Sequence, residues 1–234
     1  MTATSGDPDH SGPSPPPLRP LLRGWLHAGT FPVALTAGVV LSILAPEGRA
    51  RTGVIVFSVT ATLLFGTSAL YHRFAWSERI HLLLKRFDHA NIFLIIAGSY
   101  TPFALCLLPT DQARTLLITV WSGAAAGVVF KMVWPTAPRW LSTPIYVALG
   151  WVAVFYFPPL LHSGGPAVMS LIVAGGILYT VGAVVYGTKR PDPAPRWFGF
   201  HEVFHACTVA AFVLHSVAVS VISLTGSVVA TIPG

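Results

Sequence analysis

Seven stretches of the chain are apolar almost without interruption, each close to the length a helix needs to cross a bilayer. A hydrocarbon core of about 30 Å takes roughly 20 residues at the helical rise. Such runs cover Trp25 to Ala45, Thr52 to His72, Asp88 to Leu108, Arg114 to Trp134, Trp140 to Leu161, Pro166 to Tyr186 and Phe200 to about Leu224. The pattern predicts an all-α integral membrane protein, a seven-transmembrane helix bundle. Between the second and third runs, Ile80, Leu83, Leu84 and Phe87 share one helical face, with Arg79, Lys85 and Arg86 mostly elsewhere. That spacing predicts a short amphipathic helix along the membrane interface. Pro102, Pro144 and the pair Pro158 and Pro159 are expected to kink their helices. Gly123 and Gly127 form a GxxxG that permits close backbone approach.

Ahead of the first run, Met1 to Pro20 is rich in Pro, Ser, Gly and Asp and has no apolar segment, so it reads as an unstructured tail and not as a signal peptide. The chain therefore divides into a tail over residues 1–22 and a membrane domain over residues 23–234.

Composition agrees with the pattern. Of 234 residues, 53% are apolar and 9% charged, against roughly 25% charged residues in soluble domains. Mean hydropathy is +0.69, which excludes an ordinary soluble globular fold. The formal charge of +6 would suit nucleic acid only if it were clustered on one soluble face, and the basic residues are dispersed over short loops. No nucleic-acid partner is expected. Sorting Lys and Arg by side puts eleven on one face, from Arg19 and Arg23 through Arg196, and only Arg49, Arg51 and Arg114 on the other. Cytoplasmic loops carry the excess, so the N-terminus is expected in the cytoplasm and the C-terminus outside, in a multi-pass protein of the cell inner membrane. Cys106 and Cys207 then lie toward opposite leaflets, and no disulfide is expected.

Ionisable groups inside spans are costly and mark function by default. Few are present. His72 ends the second run with Ser68 one turn earlier on the same face, Asp88 begins the third, and His201 and His205 begin the seventh. The charge-derived orientation brings all five to one depth in the cytoplasmic half of the bilayer. Histidines four apart on a helix project from one face, about 6 Å apart, which suits one metal ion. Three neutral imidazoles and a solvent oxygen make a catalytic zinc site with one exchangeable position, whose water reaches a pKa of about 7. Asp88 could accept a proton from that water or hold it in place. Ser68 could donate to the same water, to a substrate oxygen or to the His72 ring, or bond only to its own helix. His215 lies about 15 Å deeper and reads as a buried hydrogen-bonding or proton-relay residue. Ser99 and Asn91 fall near the face of Asp88 and predict a polar stripe toward the bundle interior. His10, His27, His81, His89 and His162 have no partner that spacing identifies.

His201 to His205 also satisfies HExxH, in which two histidines bind zinc and the glutamate activates water. An intramembrane metallopeptidase would need a third ligand, for which Asp88 or His72 could serve. Glu202 points about 100° from His201, near a helix end where it is expected to be solvated.

The segments SALYHR at Ser68 to Arg73, FDHANIFLIIAGSYTPF at Phe87 to Phe103 and FHEVFH at Phe200 to His205 resemble the signatures of the hemolysin III family, within the progestin and adipoQ receptor superfamily. The resemblance spans all seven runs from about Arg23. It implies a seven-helix bundle with zinc near the cytoplasmic face, held by His72, His201 and His205. By the same resemblance Asp88 matches an aspartate associated with zinc-bound water, and Ser68 matches the serine of an SxxxH motif. Related receptors accept glutamine at the position of Glu202, which weakens its role as a base. Similarity to ceramidase-active receptors and alkaline ceramidases implies a zinc-dependent hydrolase of a lipid amide or ester, with membrane lipids as partners. The alternative is a non-enzymatic receptor, regulator or pore-forming, hemolysin-like protein with structural zinc.

Overall fold

The computed structural model describes residues 20–225; the tail expected over Met1 to Pro20 lies almost wholly outside them. The helices are α1 (Trp25–Leu44), α2 (Arg49–Arg73), α3 (Glu78–Leu107), α4 (Thr110–Val133), α5 (Arg139–Gly150), α6 (Phe157–Thr188) and α7 (Phe200–Thr225). A 3-10 segment, Trp151–Tyr156, joins α5 to α6. No strand occurs among the described residues, and the one β-bridge pairs Ala194 with Phe198. Among the described residues, six helical stretches are long and apolar enough to cross a membrane, the stretch Arg139–Thr188 being counted as one. The protein is a multi-pass, all-helical membrane protein.

The centre of the bundle is α3, which packs against α2, α4, α5, α6 and α7. Its membrane-length window is 72% buried against 11% for α1, because small and polar residues on α3 let neighbours approach and bind. Asn91 donates to Leu63 O and to Thr67 Oγ1, both at 3.0 Å, tying α3 to α2. Tyr100 donates to Gly150 O at 2.6 Å and accepts from Ala153 N at 2.9 Å. These bonds satisfy backbone groups where α5 gives way to the 3-10 segment, groups that lipid could not satisfy. On α4, Gly127 faces the Phe93 ring so closely that a Cβ would overlap it, and Gly123 likewise faces Leu149; the GxxxG thus lets α4 pack against both α3 and α5. Asn91 and Ser99 are both buried, as the polar stripe required.

Two features differ from the sequence expectation. The segment read as a separate interfacial helix is the first third of α3, which runs unbroken from Glu78 to Leu107; its apolar face continues the register of the span and no residue there breaks the helix. Pro158 and Pro159 open α6 instead of kinking a helix, since a residue in the first turn has no intrahelical N–H bond to lose. The interruption in α6 is at Gly165, whose φ of 73° is left-handed and open to glycine without strain. Cys106 and Cys207 are both free thiols.

Contacts across the bundle fix which helix ends lie together. The starts of α1, α3, α5 and α7 and the ends of α2 and α6 meet at one end, through Arg23 with Glu202, His72 with His201, Arg139 with Phe200 and His89 with Tyr186. That end carries the basic loops.

Candidate metal centre

The α7 start is held rigidly before any ligand is considered. Glu202, the third residue of the helix, reaches back with Oε2 to accept the Gly199 N–H at 2.9 Å. This is half of a capping box. Asp192 Oδ1 accepts the next orphan N–H, that of Phe200, at 2.8 Å. The other Glu202 oxygen is ion-paired with Arg23 Nε. The segment before α1 lies on the connection into α7, with Leu21 N donating to Arg196 O at 3.0 Å and Leu22 N to Trp197 O at 3.1 Å. Glu202 is 1% exposed. It is therefore buried instead of solvated, with one oxygen bonded to the Gly199 N–H and the other ion-paired with Arg23.

On this footing α7 presents His201 and His205 from successive turns to His72 at the end of α2. Nε2 of His72 and Nε2 of His201 are 3.2 Å apart. Two nitrogens about 2.0–2.1 Å from one ion at a tetrahedral angle would lie about 3.3 Å apart. Ring centroids are separated by 4.4 Å for His201 and His205, 4.8 Å for His72 and His201, and 5.3 Å for His72 and His205. One ligand atom from each lies within 4.8 Å of the others. His72 and His205 are buried and His201 is half-buried, and His205 Nδ1 has no hydrogen-bond partner. This buried group can bind a metal ion.

Asp88, eleven residues into α3, places Oδ2 3.9 Å from His72 Nε2 and 3.8 Å from His89 Nδ1. Ser68 is buried one turn before His72 and turns its hydroxyl toward Asp88. The five residues selected from the sequence thus converge from α2, α3 and α7. His89 is directed elsewhere: its Nδ1 meets Lys85 O at 2.8 Å, so that nitrogen carries the hydrogen, and Nε2 accepts from Tyr186 OH at 3.2 Å.

Sequence reasoning missed His27. Its ring stacks on that of His205 at 3.7 Å between centroids and 10° between planes, and Phe65 meets it edge-on at 5.0 Å. His27 is 3% exposed. The signal was available, because an imidazole in the first turn of the first span falls at the same depth as the other histidines. Arg23, one turn before it, carried the same information about Glu202.

Beneath the cluster lies a cavity of about 300 Å³, at the lower end of the range for small-molecule sites. Ser68, Asp88 and His205 form part of its wall, and His215 lies on the wall farther along α7. Most of the remaining wall is aliphatic and aromatic, as with Ile92 and Phe103. The arrangement can therefore hold a metal ion, a carboxylate and an apolar chain side by side.

The profile of the family described as Haemolysin-III related matches residues 17–216. The chain is 38% identical over 146 residues to the hemolysin-3 homolog of Bacillus subtilis (strain 168), covering 62% of this chain and 68% of that one. It is 33% identical over 157 residues to hemolysin-3 of Bacillus cereus, covering 66% and 71%. It is also 31% identical over 198 residues to the heptahelical transmembrane protein ADIPOR2 of Oryza sativa subsp. japonica, covering 75% and 84%. With more than half its length inside the family profile and the three motif segments joined in one buried centre, the chain belongs to the Haemolysin-III related family.

Proposed function

We propose that the protein is a zinc-dependent hydrolase of an amide or ester in a membrane lipid, working at the cytoplasmic side of the bacterial inner membrane. His72, His201 and His205 hold the ion; the match between their 3.2 Å nitrogen separation and a shared tetrahedral ion supports this. Bound there, zinc supplies Lewis acidity and a readily deprotonated water. Asp88 would accept a proton from the water whose oxygen adds to the acyl carbon and deliver it to the amine or alcohol as the acyl C–N or C–O bond breaks, and Ser68 would orient the Asp88 carboxylate. The apolar cavity takes the acyl chain of the lipid and keeps bulk water from the reacting carbonyl. One observation carries the reading: Asp88, Ser68 and His205 stand on the wall of a single cavity that is otherwise largely apolar.

The membrane topology follows from the same reading. The stretch Arg139–Thr188 has 50 residues, about 75 Å of helix and far more than one span. It crosses twice, turning near Gly165, which gives seven spans with the N-terminus in the cytoplasm and the C-terminus outside. A relative named heptahelical fits that count.

A second reading has a specific observation behind it. His72 and His201 are 129 residues apart in sequence, so a metal there would also staple α2 to α7 in a receptor, regulator or pore without turnover. Incubation of the zinc-loaded protein and its Asp88→Ala variant with bacterial phospholipids, acylated lipids and ceramides, read by mass spectrometry, separates the two. Release of fatty acid by the wild type alone supports hydrolysis. Equal background from both proteins, at equal zinc content, refutes it and leaves the staple.

A further inference from the structure

We propose that the deep end of the cavity is a hydroxyl-recognition site, built for an acyl chain that carries a hydroxyl group part-way along its length. The inference rests on the reading of the cavity as an acyl-chain channel, and it concerns His215 and Tyr179. His215 is ten residues beyond His205 on α7, about 15 Å along the helix axis, and is 8% exposed. Its imidazole fits because Gly175 on α6 lacks a side chain; a Cβ there would overlap the ring at Nε2 and Cδ2. Phe103 holds the ring edge-on at 5.7 Å. His215 Nε2 lies 3.2 Å from Ile172 O. A carbonyl only accepts, so Nε2 carries the hydrogen and Nδ1 is left as an acceptor.

That Nδ1 is buried with no hydrogen-bond partner, and so is the hydroxyl of Tyr179, whose ring stands 5.5 Å from the imidazole. Both residues are on the wall of the cavity that reaches Asp88 and His205. Two unmade hydrogen bonds in an apolar interior are costly, and here they are complementary. An alcohol answers both, donating its O–H to Nδ1 and accepting from Tyr179. A ketone can only accept and leaves Nδ1 bare, and a methylene answers neither. A trapped water has the same hydrogen-bonding chemistry, and these two partners are the fewest an ordered water needs; the measurement below separates the two occupants. The spacing from the metal centre selects a hydroxyl far from the carboxyl end of the chain.

The test is displacement of a fluorescent fatty acid from the purified full chain in detergent by stearic acid, by its mid-chain hydroxylated derivative and by its α-hydroxylated derivative. The mid-chain hydroxy acid is expected to bind about tenfold more tightly than stearic acid, the net weight of its two hydrogen bonds after its own hydroxyl is desolvated, with no gain for the α-hydroxy acid. Tyr179→Phe, which removes only the hydroxyl, and His215→Phe should each erase that gain while binding stearic acid as the wild type does. Equal affinity of the wild type for all three acids overturns the inference, as does a preference that survives both substitutions. An equal loss of affinity for all three acids in Tyr179→Phe assigns the polar pair to trapped water and also overturns it. Because binding is read without turnover, discrimination by a protein that hydrolyses no lipid supports this site and counts only against the hydrolase. Failure of any fatty acid to displace the probe removes the channel and this site together.

Discussion

Glu202 tests whether the motif at the head of α7 is chemistry or architecture. Replacing it with alanine removes the acceptor of the Gly199 N–H and leaves Arg23 without its buried partner. Breaking one side of a buried ion pair costs about 3–5 kcal/mol, and a lost cap about 1 kcal/mol. The Arg23 side chain is 20% exposed, so water recovers part of its charge, and about 3 kcal/mol is the expected total. For a chain of this size that is a fall of roughly 6–12 °C in apparent melting temperature. Glu202→Gln retains an oxygen for the Gly199 N–H and should cost less, about 1–2 kcal/mol. In the double variant Arg23→Met with Glu202→Gln no charge is stranded, so its loss of stability should be smaller than the sum of the two single losses. Intrinsic tryptophan fluorimetry in detergent gives the melting curves, and inductively coupled plasma mass spectrometry gives the metal content of the same samples. If Glu202→Ala melts with the wild type, the clamp is not structural. If Glu202→Gln keeps its stability and its metal yet loses all turnover, the carboxylate acts on substrate and the assignment to Asp88 fails.

Three further predictions follow from the same geometry. Purified protein should carry about one zinc per chain, and His72→Ala, His201→Ala and His205→Ala should each lose most of it; a metal-free wild type that is fully folded refutes the centre. His27→Ala should weaken zinc binding several-fold in chelator competition by unpacking the His205 ring, and His27→Phe should restore it; equal weakening in both would assign His27 a role through its nitrogens. Gly127→Leu should cost about 1–3 kcal/mol by overpacking against Phe93, whereas Gly29→Ala, with nothing within 4 Å of the added carbon, should melt within a few degrees of the wild type.

The spans were legible because a bilayer imposes a single length and a single polarity on whatever crosses it. Predicted starts and ends of α1, α2 and α7 agree with the observed ones to within about a turn. Ser68, His72, Asp88, His201 and His205 were legible for a related reason: each interrupts an apolar run, and the run fixes its depth. What escaped was lateral geometry. Depth says that His27 is level with His205, but only packing of α1 against α7 says that the rings stack. Glu202 was misplaced into solvent for the same reason, since its partner Arg23 precedes the first span. The interfacial segment failed differently: Ile80, Leu83 and Leu84 fit a lipid-facing helix whether it lies flat or continues upright, and periodicity does not distinguish the two. Pro158 and Pro159 fall inside the apolar run Trp140 to Leu161, and uniform apolarity does not show that α5 ends at Gly150 and a new helix starts at Phe157.

The joining of Arg23 to Glu202 and of His72 to His201 means that the centre is made between the two ends of the chain. Helices enter a membrane in order of synthesis, and until α7 is in place the nascent protein has His72, Asp88 and Ser68 but neither the second and third imidazoles nor the acid that answers Arg23. A metal held by these three imidazoles would then be captured last in biogenesis, and only by a molecule that has inserted every helix. A truncated or misinserted copy would fail to load, so possession of the ion would certify a completed bundle.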